Sequence, residues 1–200
     1  SDDWVIIRIT RDNGITFDDA KPYMGLGNFE CASKLHSVYG EKTSLGICGP
    51  VGEYEGLMAG VTFSDTDNRP SRIAARGGVG AVMGAKKVKA IVIDKDRMPP
   101  VNDRKKVMVA IKEYGKKLGD SAPVETLRTT GTAMMADITN HVGAMPTRNF
   151  TLGHQPSEGG AFKMGGTFIR ELNSGRGGQT EHACMPGCLI KCSNVYVDDT

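Results

Sequence analysis

"RIAARGGVGAVMGAKKVKAIVI", residues 72–93, gathers four glycines, two arginines and an apolar run into one stretch. The run "KAIVI" is β-branched and apolar without a polar alternation, which predicts a buried strand. Ahead of it the glycines predict a loop opening into a short helix. Backbone N–H groups there, with Arg72 and Arg76 on either side, make an anion site for a phosphate. The match to a dinucleotide fingerprint fails, because no third glycine stands three residues beyond Gly80. A Walker loop fails too, since Gly84-Ala85-Lys86-Lys87 lacks the Gly-Lys-Ser/Thr ending. The bland alternative is that these glycines only let a helix lie close to a sheet.

Working outward, "DWVIIRITRD" (3–12) alternates apolar and polar residues and predicts a strand. "ECASKLHSVYGE" (30–41) carries apolar positions at helical spacing and ends near Gly40, as a short helix would. "KTSLGICGPVGE" (42–53) predicts a second strand running into a Gly-Pro-Gly turn, and "GLMAGVTFSD" (56–65) a further strand. Strands and helices are mixed without a repeating strand-helix unit, so the expected class is α+β with a β-rich first half. The charged, double-proline segment "DKDRMPPVNDR" (94–104) marks a boundary near Pro99 and Pro100, dividing the chain into 1–98 and 99–200. Beyond it "NDRKKVMVAIKEYGKKLGD" (102–120) predicts a helix with a solvated basic face. "APVETLRTTGTAMMADITNHVGA" (122–144) predicts a helical region broken at Gly131. A loop (145–162), a short helix in "TFIRELNSGRGGQ" (167–179) and a glycine-rich loop follow. Both "SDDWVIIRITRDNG" and "SNVYVDDT" look like strands entered or left abruptly, which suggests a piece of a longer protein.

Net charge is only +2, so the chain lacks the electrostatic footprint of a nucleic-acid binder. No apolar run approaches the ~20 residues that span a bilayer. Five cysteines, an odd number without a secretory signal, argue against a disulfide scaffold and for a reducing, cytoplasmic setting. Three of them fall in "CMPGCLIKC": Cys184, Cys188 and Cys192, with Pro186-Gly187 opposing a regular helix. Thiolates are soft ligands for zinc or iron–sulfur clusters. Four-cysteine zinc sites usually bring two C-x-x-C pairs, and no second pair is present. A four-iron cubane can take three ligands from one compact loop and the fourth from far away, with Leu189 and Ile190 as an apolar shell. Inert packing of three small thiols is the remaining alternative.

Together the two motifs resemble the tungsten-containing aldehyde ferredoxin oxidoreductase family. "ARGGVGAVMGAKKVKAIVI" (75–93) is similar to that family's glycine loop. Gly131, Thr132, Asn140, Gly143, Pro146, Asn149 and Phe150 match its "GT…N…G…P…NF" stretch, and "CMPGCLIKC" stands at its cluster-binding cysteines. The resemblance implies an internal fragment of a protein about three times longer. It implies tungsten or molybdenum held between two pterin dithiolenes (a bis-molybdopterin, or tungstopterin), a 4Fe-4S cluster close by, and oxidation of aldehydes to carboxylic acids with electrons passed to ferredoxin. It also admits a relative acting on aromatic acyl-CoA, and a homo-oligomer. Arg72, Ile73, Ala75 and Arg76 correspond to pterin contacts, with Gly77 and Gly78 admitting the pterin; Cys184, Cys188 and Cys192 correspond to three cluster ligands. The fourth ligand and the acid/base residues are expected beyond Thr200, so the fragment alone should be inert. One departure stands out: the first cysteine gap has three residues here and two in the best-known members. A non-catalytic iron–sulfur carrier and a structural zinc domain are the alternatives. A simple cluster carrier would have no use for the arginine-bearing loop.

Overall fold

The computed structural model describes residues 3–96, 100–155 and 162–198. It divides into two compact units, Ser1–Pro100 and Val101–Thr200. Of the expected boundary residues, Pro99 lies outside the described residues. The α+β class is observed: the first unit is a mixed sheet with helices and the second is mainly helical.

In the first unit, β1 (Val5–Thr10) turns through Arg11–Asn13 into β2 (Gly14–Asp19), an antiparallel partner. β6 (Val88–Asp94) runs parallel to β1 and antiparallel to β3 (Thr43–Cys48). β4 (Val61–Phe63) and β5 (Arg72–Ala74) complete the order β2-β1-β6-β3-β4-β5. Side chains alternate across the sheet, and two clusters result. Ile6, Leu45, Ile47, Ala90 and Val92 meet Cys31, Ala32 and Leu35 of α1 (Asn28–Tyr39) on one face. On the other, Cys48 and Val61 meet Met83 of α3 (Val79–Ala85), with Ile91 against them. Helix α1 stops where Gly40 takes φ 90°, a conformation open to glycine. β2 is a sheet edge, and its Ile15 and Phe17 are exposed.

Three sequence expectations change here. The segment Gly49-Pro50-Val51-Gly52, read as a turn, is a four-residue helix, α2 (Pro50–Glu53), because Pro50 suits the first helical position. Only Val61–Phe63 of "GLMAGVTFSD" is strand. Arg72–Ala74 also belongs to the sheet, although it reads as part of a loop.

The second unit holds α4 (Arg104–Gly119), α5 (Ala122–Thr130), α6 (Met134–His141) and α7 (Gly166–Gly175), then the hairpin β7 (Gln179–His182) and β8 (Ser193–Val195). The Asp103 side chain caps α4 by accepting from Lys106 N at 2.9 Å. The break at Gly131 is real, with φ +68° followed by a short 3-10 turn, Gly131–Ala133. No residue of α4 is buried, in keeping with a solvated basic face, though Val109, Ile111 and Tyr114 are exposed as well. Among its described residues, the final "SNVYVDDT" supplies only Ser193–Val195 as strand. Part of the expected loop, residues 156–161, lies outside the described residues. Among the described residues no helix is long and apolar enough to cross a membrane.

Candidate cofactor and cluster sites

The glycine loop leaves the edge of the sheet. β5 ends at Ala74, and Ala75, Arg76 and Gly77 are exposed before α3 begins. Gly77 (φ +77°) and Gly78 (φ +65°) lie in consecutive left-handed conformations that a side chain disfavours. A Cβ at Gly77 would meet nothing, so its requirement is conformational and its outer side is open. A Cβ at Gly78 would fall 2.5 Å from Leu57 O. Ile73 on the edge strand β5 is 58% exposed.

The expectation that all four glycines present N–H groups to an anion is corrected. Gly80 N already donates to Ala59 O at 2.9 Å. A Cβ at Gly80 would sit 2.4 Å from Gly60 O, and one at Gly84 only 1.8 Å from Gly52 O. These two glycines let α3 touch the backbone of α2 and of the segment leading into β4. Close packing therefore explains Gly80 and Gly84, and the open stretch is confined to residues 75–78.

Two polar devices hold the ground beneath this loop. Asp65, whose side chain is fully buried, accepts from Asp67 N (2.8 Å), Arg69 N (2.9 Å), Arg69 Nε (3.1 Å) and Ser71 Oγ (2.7 Å). Burial alone would raise its pKa. The hydrogen bonds from Ser71, Arg69 and Asp67 outweigh that and hold the carboxyl below its ordinary value. The segment feeding Arg72 is thereby fixed. Lys89, the last lysine of the motif, is fully buried; its Nζ donates to Cys48 O at 2.9 Å and to Glu53 Oε1. Glu53 in turn accepts from Gly25 N at 2.9 and 3.1 Å. The lysine thus ties β6, β3 and α2 together from within.

In the second unit, the thiols lie on the loop between β7 and β8. All three are free; Cys184 is exposed and Cys188 and Cys192 are half-buried. Gly187 (φ +82°) and Lys191 (φ +50°) give this loop its turns. Backbone hydrogen bonds, Lys191's foremost, lower the pKa of Cys188 against the opposing effect of partial burial, and Ile190 and Cys184 assist. Such N–H groups stabilise a thiolate, the ligating form. Among the described residues the three sulfurs do not all lie within 4.8 Å of one another. A single tetrahedral ion, with bonds of about 2.3 Å, would need them about 4 Å apart. Soft thiolate donors on one irregular loop fit an iron–sulfur cluster or zinc. Leu189 stands over α4, in a groove shared with Ile111, Tyr114, Leu118, Met185 and Ile190.

By contrast, Cys31 and Cys48 are buried in the sheet unit, and burial pushes both thiols up. They are packing residues. His36 is also buried, with Nδ1 beside Thr43 Oγ1 at 3.2 Å and Gly40 O at 3.3 Å. His141 and His154 are exposed. Sequence reasoning gave Asn140 no role. Its side chain bonds both polar groups of Gln155's backbone, at 2.6 and 3.2 Å, closing the loop after α6. Sequence reasoning also missed the link between Thr132 and the cysteine loop: Thr132 N and Oγ1 donate to Cys192 O at 2.8 and 3.0 Å. The shared "GT" motif was the available signal.

The two candidate motifs fall one in each unit, an arginine-bearing glycine loop in the first and a three-thiol loop in the second. Comparison with known proteins gives the family. Residues 1–95 match the N-terminal domain of aldehyde ferredoxin oxidoreductase, and residues 109–200 match domains 2 and 3. The chain belongs to the aldehyde ferredoxin oxidoreductase family.

Its relatives include the tungsten-containing aldehyde ferredoxin oxidoreductase of Pyrococcus furiosus, 34% identical over 73% of this chain and 24% of that protein. The corresponding protein of Thermococcus kodakarensis is 32% identical over 89% of this chain and 28% of its own length. The chain thus spans about a quarter of the curated relatives it matches. A solved structure, the active-site complex BamBC of benzoyl coenzyme A reductase with 1,5-dienoyl-CoA, has a similar fold. Its TM-score is 0.69 at 19% identity, over all of this chain and 30% of that one.

Proposed function

We propose that this chain is the cofactor-platform and cluster-ligand segment of a tungsten- or molybdenum-pterin oxidoreductase that oxidises aldehydes to carboxylic acids. The overall change is RCHO + H2O → RCOO⁻ + 3 H⁺ + 2 e⁻, with the electrons leaving singly for a ferredoxin-like carrier. The metal–pterin group would supply the two-electron chemistry and the cluster the one-electron relay. This chain's residues would bind and orient both. Arg72, Ile73, Ala75 and Arg76 would contact the pterin, with Gly77 and Gly78 admitting it along the open side of residues 75–78. Their N–H and guanidinium groups suit an anionic phosphate tail. Cys184, Cys188 and Cys192 would hold three irons of a 4Fe-4S cluster. The observation that carries this reading is family membership over both units. A reducing, intracellular setting is part of the same reading, since such a thiol loop is oxidisable.

A second reading takes an aromatic acyl-CoA as substrate; the similar fold of the benzoyl coenzyme A reductase complex with 1,5-dienoyl-CoA is the observation behind it. Anaerobic purification of the full-length protein, followed by metal analysis, electron paramagnetic resonance and viologen-linked assays, tests both. Iron with tungsten or molybdenum is expected, with activity on aldehydes. Activity on aromatic acyl-CoA alone would select the second reading. Zinc without iron, tungsten or molybdenum would overturn the proposal.

A further inference from the structure

The carbonyl of Cys192 is held twice. It accepts from Thr132 N at 2.8 Å and from Thr132 Oγ1 at 3.0 Å, so both lone pairs are engaged by one residue sixty positions earlier. Two residues on, the Asn194 side chain closes the same contact from the other side. Its Nδ2 donates to Thr130 O at 3.2 Å and its Oδ1 accepts from Ala133 N at 3.3 Å. Thr130 is the last residue of α5, whose final carbonyls have no partner within the helix. Gly131 sits between, at φ +68°, where an added Cβ would lie 2.5 Å from Asn194 Oδ1. Any side chain at 131 would therefore wedge the two segments apart. Four hydrogen bonds and one glycine join the α5–α6 junction to the backbone around a single thiol, Cys192.

We propose that Thr132 and Asn194, seated on Gly131, are positioning residues that aim the Cys192 thiolate at the iron–sulfur cluster. This rests on the cluster reading above, and it assigns a task to residues outside the ligand set. With both faces of its carbonyl held, Cys192 cannot rotate its backbone, so its Cα–Cβ bond keeps one direction. A ligand held in place before metal arrives loses little freedom on binding, which favours retention of iron. The hydrogen bonds next to a ligating sulfur also tune the cluster's potential.

The test uses the anaerobically purified full-length protein and the variants Thr132→Val, Thr132→Ser and Asn194→Ala. Valine keeps the shape and the backbone donor but removes the hydroxyl. Iron release to a ferrous chelator should quicken several-fold to about tenfold in Thr132→Val and Asn194→Ala, the scale of one hydrogen bond. The reduced cluster's paramagnetic signature and midpoint potential should shift in both, and Thr132→Ser should restore the wild-type values. A purely structural role would lower thermal stability and leave signature and potential unmoved. If wild type holds the cluster while Thr132→Val and Asn194→Ala keep its release rate, signature and potential, the inference is overturned and the cluster reading stands. If wild type holds no iron, both fall.

Discussion

Removing the Lys89 ammonium, as in Lys89→Met, should unfold the sheet unit far below its normal midpoint. Lys89 is wholly buried and Glu53 only 14% exposed, so the substitution strands a carboxylate whose remaining partner is Gly25 N. Cys48 O would also lose its donor. Breaking a buried pair by deleting one partner costs about 3–5 kcal/mol. For a unit of this size each kcal/mol moves the thermal midpoint by about 4–8 °C, so a fall of at least about 12 °C is expected. The single tryptophan, Trp4, packs against the core of this unit and reports its unfolding by fluorescence in urea or on heating. The double variant Lys89→Met/Glu53→Gln completes the cycle: it should lose less than the sum of the two singles, because the second change neutralises the stranded charge. A Lys89→Met variant within about 1 kcal/mol of wild type, or strict additivity in the double, would refute the claim that this pair secures β6 to α2.

Gly84→Ala should lower stability by about 1–3 kcal/mol or more, since its methyl group would run into the backbone of Gly52, and by more than Gly77→Ala, where only the left-handed φ is strained; equal denaturation midpoints would contradict this. With metal removed, a mild alkylating agent should modify Cys184, Cys188 and Cys192 and spare Cys31 and Cys48 until the sheet unit unfolds, as peptide mass spectrometry can read. Asp65 is held below its ordinary pKa, so between its folded and unfolded values the unfolded state binds more protons and stability rises with pH. Its contribution is therefore fully present above an unfolded value of about 3.9 and is lost as pH falls through the folded value. Asp65→Asn should lower the urea midpoint near neutrality and flatten its acid limb; an unchanged pH profile would count against the hydrogen-bond account.

Much of this fold is legible in the chain because its central elements carry local signals. β1, β3 and β6 are apolar and β-branched, α1 ends on a glycine, and α4 begins on an aspartate cap. β2 lies at an edge and packs little: "GITFDD" has one half-buried residue and none buried, so its strand is fixed by pairing with β1. β5 and β7 are strands only by virtue of partners, β4 and β8 respectively. Lys89 reads as a surface residue, since nothing local tells that Glu53, thirty-six positions earlier, waits for it. At the site, thiol spacing and the clustering of glycines were visible. The division of labour among those glycines was not, because it depends on which backbone each one faces. The "GT" motif marked Thr132, but nothing local named its partner Cys192, sixty positions on.

The hairpin at the sheet's far edge has a practical consequence. β2 offers an outer row of amide and carbonyl groups beside Ile15 and Phe17, which are 62% and 67% exposed. A sticky ribbon of this kind templates strand addition from a neighbouring molecule. Asp18 and Asp19 at its end are the only acidic guards within the strand. Produced by itself at high concentration, the chain should therefore tend to clump edge to edge, and a charged replacement at Phe17 should keep it dispersed.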